Sequence, residues 1–379
     1  MATQGLRGSR GAKVGLVIFG CVIGLVVCEI IVRVAGIEPR INILFRENFR
    51  LSENPVLKYE LQPGSRDGDL RISSAGLRDR EFDRPKPVGT YRIGIIGDSI
   101  AYGLRCTQPE AFARQLDELL AAAGADATRF EVLNFGVSGY DITQVVERLR
   151  TLGMSFDLDL VIYAYSLNDP QSFSLELQGL TAMHDQVRRH AKPRDTLRRW
   201  LSHSRIFLLL WQASQQRAWQ KQARPGRQSP DYEAVVRGEH VAYFEGLHNG
   251  ASWEKVQREL SALATLTGGV GTPPRTLVAV FPVFLGSSAT YPLSDLHRRI
   301  LAEAEQQGLE ALDLAPSYSI ERYANVEPFF IDPFHPTPLG HRVTAYALLA
   351  WLKSAGILDG PAYEKILGAH RIDRGIYQH

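Results

Sequence analysis

Two stretches of the chain contain residues that could together form a serine–histidine–aspartate catalytic group. Ser99 is the last residue of the motif Gly97-Asp98-Ser99, which lies at the end of the apolar run 92–97. We therefore expect Ser99 on a strand-to-helix turn. Asp332 precedes His335 by three residues in a proline-rich loop, and a carboxylate at this spacing can bond the imidazole Nδ1–H. The imidazole Nε2 is then free to take the serine proton. The pattern predicts acyl transfer, with Ser99 as nucleophile, His335 as base and Asp332 as its orienting partner.

Two further loops contain groups that could stabilise an oxyanion. The run 134–141 and the pair Asn168-Asp169 each follow an apolar run, just as Ser99 does. The backbone N–H groups of Ser99 and Gly139 and the side-chain amide of Asn168 would supply three hydrogen-bond donors. Each loop taken alone is compatible with ordinary turn chemistry. Their coincidence at the ends of consecutive predicted strands favours an oxyanion hole.

Short apolar runs and helix-length amphipathic stretches alternate from residue 91 onwards. Strands are predicted at 92–97, 130–135, 158–165, 276–284 and 309–314, with helices at 109–123, 142–152, 292–307 and 338–354. This alternation predicts an α/β fold: a three-layer α/β/α sandwich with a mostly parallel, five-stranded, flavodoxin-like sheet. In such sheets, ligands bind outside the carboxyl ends of the strands, where Ser99 is expected.

The segment 171–275 interrupts this alternation and contains no convincing strand. We predict that this segment is a helical insertion. Between Arg188 and Arg227 it contains eleven Lys and Arg residues and one acidic residue, Asp195. A lid, a contact with an acidic glycan, and a contact with an anionic membrane remain open as functions. The favoured interpretation is a solvated insertion whose apolar stripe packs on the domain.

The N-terminus carries an apolar run that is long enough to span a bilayer. A helix over 14–37 would extend about 36 Å at roughly 1.5 Å per residue, with Glu29 and Arg33 paired at i, i+4. Arg33 lies at an unfavourable place for cleavage after 34–36, and Cys21 lacks the polar tether that a lipoprotein would have. We therefore expect a single-pass membrane anchor rather than a cleaved signal peptide, with the catalytic domain on the extracytoplasmic, periplasmic side.

Composition excludes several other classes of protein. The formal net charge of +2 argues against a nucleic-acid partner, and the three cysteines argue against a disulfide framework. No metal-binding spacing, phosphate loop or dinucleotide motif is present in the sequence, so neither metal nor cofactor is expected. The pattern Gly-x-Ser-x-Gly is also absent, which argues against a standard α/β-hydrolase.

The four loops, in this order, resemble those of the SGNH hydrolases, also called GDSL esterases and lipases. Gly97-Asp98-Ser99 looks like the first block of that superfamily, 134–141 the second, Asn168-Asp169 the third and 332–335 the fifth. The resemblance implies that Gly139, rather than Gly136, is the oxyanion glycine. Ser166 stands where the third block usually has glycine. Segments before residue 92 are similar to the lead-in of membrane-anchored bacterial members.

The expected organisation follows from these motifs: a cytoplasmic leader (1–13), an anchor (14–37), a tether with short extended pieces (38–88), the hydrolase domain (89–356) and a C-terminal tail (357–379). The predicted function is hydrolysis of an acyl ester, for example an O-acetyl ester, of a glycan, a lipid or a small molecule in the cell envelope. An O-acyltransferase using the same site is one alternative. A non-catalytic, membrane-tethered binding domain is another.

Overall fold

The computed structural model describes residues 10–35, 48–67, 69–123, 128–171, 204–206, 210, 240–269, 273–283, 291–318, 329 and 334–370. These residues divide between two compact units. The first unit comprises Met1–Arg46 and Met183–Gln228, and the second comprises Glu47–Ala182 and Ser229–His379.

The first unit contains one long apolar helix, α1 (Arg10–Val34). By length and composition, its part Gly15–Val34 is sufficient to cross a membrane, a property that anchors and signal sequences share. The predicted i, i+4 pair is present, with 2.8 Å between Arg33 Nε and Glu29 Oε1. The pair supplies a counter-ion for the one acid of this helix.

A short piece of the insertion contacts the same helix. The Glu29 carboxylate accepts hydrogen bonds from the Ser204 hydroxyl at 2.9 Å and from the Arg205 and Ile206 N–H groups at 3.0 and 3.1 Å. Glu29 thus satisfies backbone donors at the start of a helical turn.

The second unit contains the following elements in chain order: β1 (Phe49–Leu51), β2 (Tyr59–Leu61), β3 (Arg66–Asp67), β4 (Leu70–Arg71), β5 (Thr90–Gly97), α2 (Ser99–Tyr102), α3 (Phe112–Ala121), β6 (Arg129–Asn134), α4 (Ile142–Thr151), β7 (Leu160–Tyr165), α5 (His240–Leu247), α6 (Gly250–Thr267), β8 (Arg275–Val280), α7 (Ser294–Gln306), β9 (Glu310–Asp313), α8 (Pro338–Ser354) and α9 (Gly360–Ala369).

The central sheet has five strands in the order β6-β5-β7-β8-β9, and all four pairings are parallel. Its inner strands are mostly apolar, and every residue of β7 is buried. Buried parallel strands of this kind require cover on both faces. The predicted α/β fold with a mostly parallel five-stranded sheet is therefore confirmed.

Helices pack into two groups about this sheet. α3 packs against α8, and both share a buried apolar cluster with α9. α6 contacts α4 and α7, and these three helices also contact strands of the sheet. The parallel connections place the carboxyl ends of β5, β6 and β7 side by side, where their loops can meet.

The lead-in before β5 packs into the second unit. Arg78 is buried, and its guanidinium donates to the Gly103 carbonyl at 2.7 Å and to the Cys106 carbonyl at 2.5 Å. The buried Arg148 of α4 likewise donates to the Gly76 carbonyl at 2.5 Å. Residues of this lead-in therefore contact both the turn after Ser99 and the helix after β6.

The C-terminal region after residue 356, for which a tail was expected, contains α9. Its Ile366 is fully buried in the apolar cluster with α3 and α8. Asp359 caps α9 by accepting a bond from the Ala362 N–H at 2.7 Å, and a proline stands in the first turn. The packed core thus continues through this helix.

Candidate active site

The turn after β5 presents Ser99 as the first residue of α2. Gly97 has φ +150°, and a Cβ there would lie 2.8 Å from the Ala164 carbonyl oxygen, so a glycine is required. Asp98 caps α2, because its Oδ1 accepts a bond from the Ile100 N–H at 2.9 Å. The motif therefore encodes a tight strand-to-helix turn.

His335 lies beside this serine, although 236 positions separate them in the chain. The distance from Ser99 Oγ to His335 Nε2 is 2.9 Å. The loop of His335 leads into α8, which Thr337 caps by accepting from the Gly340 N–H at 3.2 Å. The structure thus brings together two of the three residues predicted to form the catalytic group. The third, Asp332, lies outside the described residues.

Asp98 also connects Ser99 with Asn168. Its Oδ2 accepts from the Ser99 hydroxyl at 3.3 Å and from the Asn168 side-chain NH₂ at 3.1 Å. Ser166 donates its hydroxyl to the Asn168 side-chain oxygen, which fixes the direction of that amide. An NH₂ group has two donors, and the bond to Asp98 uses one. The side chain of Ser166 therefore orients Asn168 where the third block usually has glycine.

The loop 135–141 runs against the turn of Ser99. The Val137 N–H donates to the Gly97 carbonyl at 3.1 Å, and Asn134 donates its side-chain amide to the Ala101 carbonyl at 2.9 Å. A Cβ at Gly136 would lie 2.5 Å from the Tyr102 nitrogen, so this glycine is needed for backbone packing. Gly139 has φ +80° and is partly exposed. The assignment of Gly139, rather than Gly136, as the oxyanion donor stays a prediction.

Aromatic residues of the insertion approach the site from α5. Phe244 is buried and contacts Phe334 with ring centroids 5.9 Å apart, directly before His335. His248 is also buried, and its Nε2 lies 2.8 Å from the Tyr165 hydroxyl at the end of β7. Burial lowers the pKa of His248 to about 4, so this imidazole is neutral at neutral pH. The sequence pattern did not predict these contacts of Phe244 and His248.

A second buried acid lies beside the site, at Asp169. Its Oδ2 accepts from the Tyr163 hydroxyl at 2.6 Å and from the Ser166 N–H at 3.1 Å, while its buried Oδ1 has no hydrogen-bond partner among the residues that the structure describes. Burial, reinforced by the charge of Asp98, raises the pKa of Asp169 well above its usual range. The folded protein therefore holds the Asp169 proton to higher pH than the unfolded chain does.

Replacing Asp169 by asparagine should raise the free energy of unfolding at pH 8 and leave it nearly unchanged at pH 4. The unfolded carboxyl loses its proton near its ordinary pKa of 3.8, below the raised folded-state pKa. Wild-type stability therefore falls as pH rises above about 4, by at most about 1.4 kcal/mol per pH unit for this group. The asparagine oxygen can accept the same two bonds and has no such proton to lose.

Urea unfolding between pH 4 and pH 8 checks this expectation. Asp169→Leu is the matched control, because it leaves the Tyr163 hydroxyl and the Ser166 N–H without their acceptor and should destabilise at both pH values. An Asp169→Asn protein that kept the full wild-type dependence of stability on pH would contradict a raised pKa of Asp169.

Among the described residues, no group of three or more His, Cys, Asp or Glu side chains is arranged to hold a metal ion. A serine and a histidine within hydrogen-bonding distance at the carboxyl edge of a parallel sheet are the arrangement of a serine hydrolase.

The model of the GDSL-like lipase/acylhydrolase family matches residues 95–343, which is well over half of the chain. The chain therefore belongs to this family, whose members are SGNH hydrolases, and it is an enzyme that acts on carboxylic ester bonds. The predicted family and enzyme class are confirmed.

Solved structures with similarity to the chain include LAE5, an alpha/beta hydrolase from the metagenome of Lake Arreo, Spain (18% identity, 71% of this chain and 97% of that chain, TM-score 0.40). A catalytic mutant of Axe2, an acetylxylan esterase from Geobacillus stearothermophilus, is 14% identical (69% and 94% covered, TM-score 0.40). TesA is 15% identical (69% and 98% covered, TM-score 0.38). No curated protein sequence matches the chain.

Proposed function

We propose that the protein hydrolyses an acyl ester by a two-step mechanism with Ser99 as nucleophile. The Ser99 oxygen attacks the ester carbonyl while His335 Nε2 takes the hydroxyl proton, and the tetrahedral intermediate collapses as that proton passes to the leaving alcohol. Water then attacks the acyl-enzyme, with His335 again as base, and the carboxylic acid leaves as Ser99 regains its proton. Asp332 orients the imidazole and stabilises the imidazolium.

The observation that carries this proposal is the 2.9 Å separation between Ser99 Oγ and His335 Nε2. Proton transfer from nucleophile to base requires a hydrogen bond of this length. The two residues come from distant parts of the chain and meet at the edge of the sheet where ligands bind in such folds. Family membership supports the same reaction class.

Three donors would stabilise the negative oxygen of the tetrahedral intermediate: the N–H groups of Ser99 and Gly139 and the side-chain NH₂ of Asn168. The donors lie in three loops. The loops of Ser99 and Asn168 are joined by the Asp98–Asn168 hydrogen bond at 3.1 Å, and the loop of Gly139 packs on the turn of Ser99 through Val137. Donors that are held in place before the reaction need no reorganisation when the charge develops.

Replacing Asn168 by alanine should lower kcat by about 10²–10³-fold with a much smaller change in KM. The amide is expected to bond the oxyanion only as charge develops, so its loss affects the transition state more than the bound ester. Steady-state hydrolysis of p-nitrophenyl acetate measures both constants. Asn249→Ala, at the N-cap of α6 and outside the three loops that would supply the oxyanion donors, is the matched control. A wild-type kcat in Asn168→Ala would remove Asn168 from the oxyanion hole.

The location that we propose is the cell envelope, with α1 as an uncleaved anchor and the hydrolase domain outside the cytoplasm. The apolar stretch Gly15–Val34 supports a membrane location. Protease added to spheroplasts should digest the hydrolase domain and leave a short membrane-bound N-terminal fragment. A domain that resists protease until the cells are lysed would contradict this orientation.

Acid release from a panel of esters tests the proposed function. The panel contains short-chain aryl esters, long-chain lipids and acetylated polysaccharides, and the full-length protein in detergent is assayed beside Ser99→Ala. Free acid formed by wild type alone supports hydrolysis. Acylated glycan accumulating in place of free acid would indicate an O-acyltransferase, and no reaction with any ester would contradict the proposal.

A further inference from the structure

Tyr59 in the lead-in forms a hydrogen bond directly behind the proposed oxyanion hole. Its ring is 1% exposed, and its hydroxyl donates to the Ser138 carbonyl oxygen at 2.9 Å. That carbonyl belongs to the same peptide unit as the Gly139 N–H. The Ser138 carbonyl, which accepts from Tyr59, and the Gly139 N–H, the proposed oxyanion donor, are therefore the two ends of one rigid peptide unit.

The geometry of the peptide couples these two ends. A peptide unit is planar and its C=O and N–H bonds point in opposite directions, so a partner that fixes the carbonyl also fixes the N–H. The Ser138 side is buried, whereas Gly139 is partly exposed. A hydrogen bond to the carbonyl also polarises the peptide and strengthens its N–H as a donor.

The loop needs such a restraint because its backbone is unusual at this point. Gly139 has φ +80°, a conformation that glycine adopts without the cost that other residues would incur. The same property gives a glycine wide conformational freedom, so an outside contact is needed to select one orientation of the peptide.

Tyr59 is itself held at a defined position. Tyr140 donates its hydroxyl to the Tyr59 carbonyl, and the two rings meet edge to face with centroids 5.1 Å apart. Gln144 donates to the carbonyl of Leu57, two residues before Tyr59, at 2.8 Å. Burial raises the pKa of Tyr59 well above its usual range, so the phenol stays protonated and able to donate.

We propose that Tyr59 is a positioning residue for ester hydrolysis, whose hydroxyl orients the Ser138–Gly139 peptide so that the Gly139 N–H meets the oxyanion. The inference rests on the proposed function and adds to it a residue of the lead-in. It follows that the segment joining the apolar helix to the hydrolase domain supports the active site and does not only connect the two.

Tyr59→Phe tests the proposal because it removes one oxygen and keeps the ring. In p-nitrophenyl acetate hydrolysis by the full-length protein in detergent, kcat should fall about five- to tenfold while KM stays within twofold. Tyr363→Phe is the matched control: it loses a phenol oxygen from a buried tyrosine of α9, in the apolar cluster with α3 and α8, and its kcat should stay within twofold of wild type.

A second measurement reports on the loop without requiring turnover. Hydrogen exchange followed by mass spectrometry should show faster exchange over residues 135–141 in Tyr59→Phe than in wild type or Tyr363→Phe, with the β5 peptide unchanged. Thermal unfolding shows whether both variants remain folded. This combination separates lost positioning from a general loss of stability.

The outcomes are distinct. A folded Tyr59→Phe with wild-type kcat and wild-type exchange over 135–141 would overturn the proposal, as would equal losses of activity in both variants. If Ser99→Ala kept wild-type activity, the proposed function would fail instead, and the exchange of the 135–141 loop would still decide whether Tyr59 orders it.

Discussion

Replacing Ser99 by alanine should lower kcat for ester hydrolysis by about 10⁴–10⁶-fold while the protein stays folded. The substitution removes the attacking oxygen, so no acyl-enzyme can form, and only the donors that surround the carbonyl remain. The Ser99 oxygen lies 3.3 Å from Asp98 Oδ2 and 2.9 Å from His335 Nε2. The cap of α2 depends on the Asp98 carboxylate and is unaffected.

Steady-state hydrolysis of p-nitrophenyl acetate measures kcat for wild type and for Ser99→Ala. Ser354→Ala is the matched control, since Ser354 is an exposed serine at the end of α8, and it should have wild-type kcat. Thermal unfolding of all three proteins checks that they are folded. A Ser99→Ala protein with more than about a tenth of wild-type kcat would assign the nucleophile to another residue.

Replacing His335 by alanine should have an effect of similar size, about 10⁴–10⁶-fold in kcat. Without the imidazole, the serine loses the base that lies 2.9 Å from its Oγ, and its proton has to go to water. The loss should not add to that of Ser99→Ala, because the two residues act in one step. The double variant should therefore be about as active as either single variant.

Added imidazole offers a further check on His335→Ala. A small base in the vacated space should restore part of the activity in a concentration-dependent manner and should do nothing for Ser99→Ala. His370→Ala, at the exposed end of α9, is the control and should behave as wild type. Additive losses in the double variant would show that His335 and Ser99 act independently.

Much of the fold could be predicted from the sequence because its signals are local. Apolar runs such as 92–97 and 158–165 have the length and flanking turns of buried strands, and the structure places β5 and β7 there. Strand ends shifted by a few residues: β8 ends at Val280, whereas the apolar run continues to 284. Apolar residues indicate that a segment is buried, but they do not show where its hydrogen bonding to the neighbouring strand ends.

The meeting of Ser99 and His335 was predictable for a different reason. Each residue lies in a loop with its own recognisable composition, and parallel sheets bring the loops after their strands to one edge. The distance of 2.9 Å between the two side chains needed the structure, as did the role of Asp98 as acceptor for both Ser99 and Asn168.

Contacts between segments that are far apart in the chain and contain no recognisable motif could not be predicted from the sequence. Tyr59 is one of fourteen tyrosines, and nothing near it signals a bond to the Ser138 carbonyl, 79 residues away. Phe244 lies in an insertion without strand pattern, and yet it packs on the residue before His335. Such contacts depend on tertiary packing, which periodicity and turn signals do not encode.

The most direct test of the account is where a serine-directed organophosphate reacts. The full-length protein in detergent is treated with diisopropyl fluorophosphate, digested with trypsin and analysed by mass spectrometry. The account predicts one adduct per chain on peptide 93–105, whose only serine is Ser99, and no adduct in Ser99→Ala or after His335→Ala at the same exposure. An adduct elsewhere in the chain, or an unmodified peptide 93–105 in active enzyme that the reagent inhibits, would contradict it.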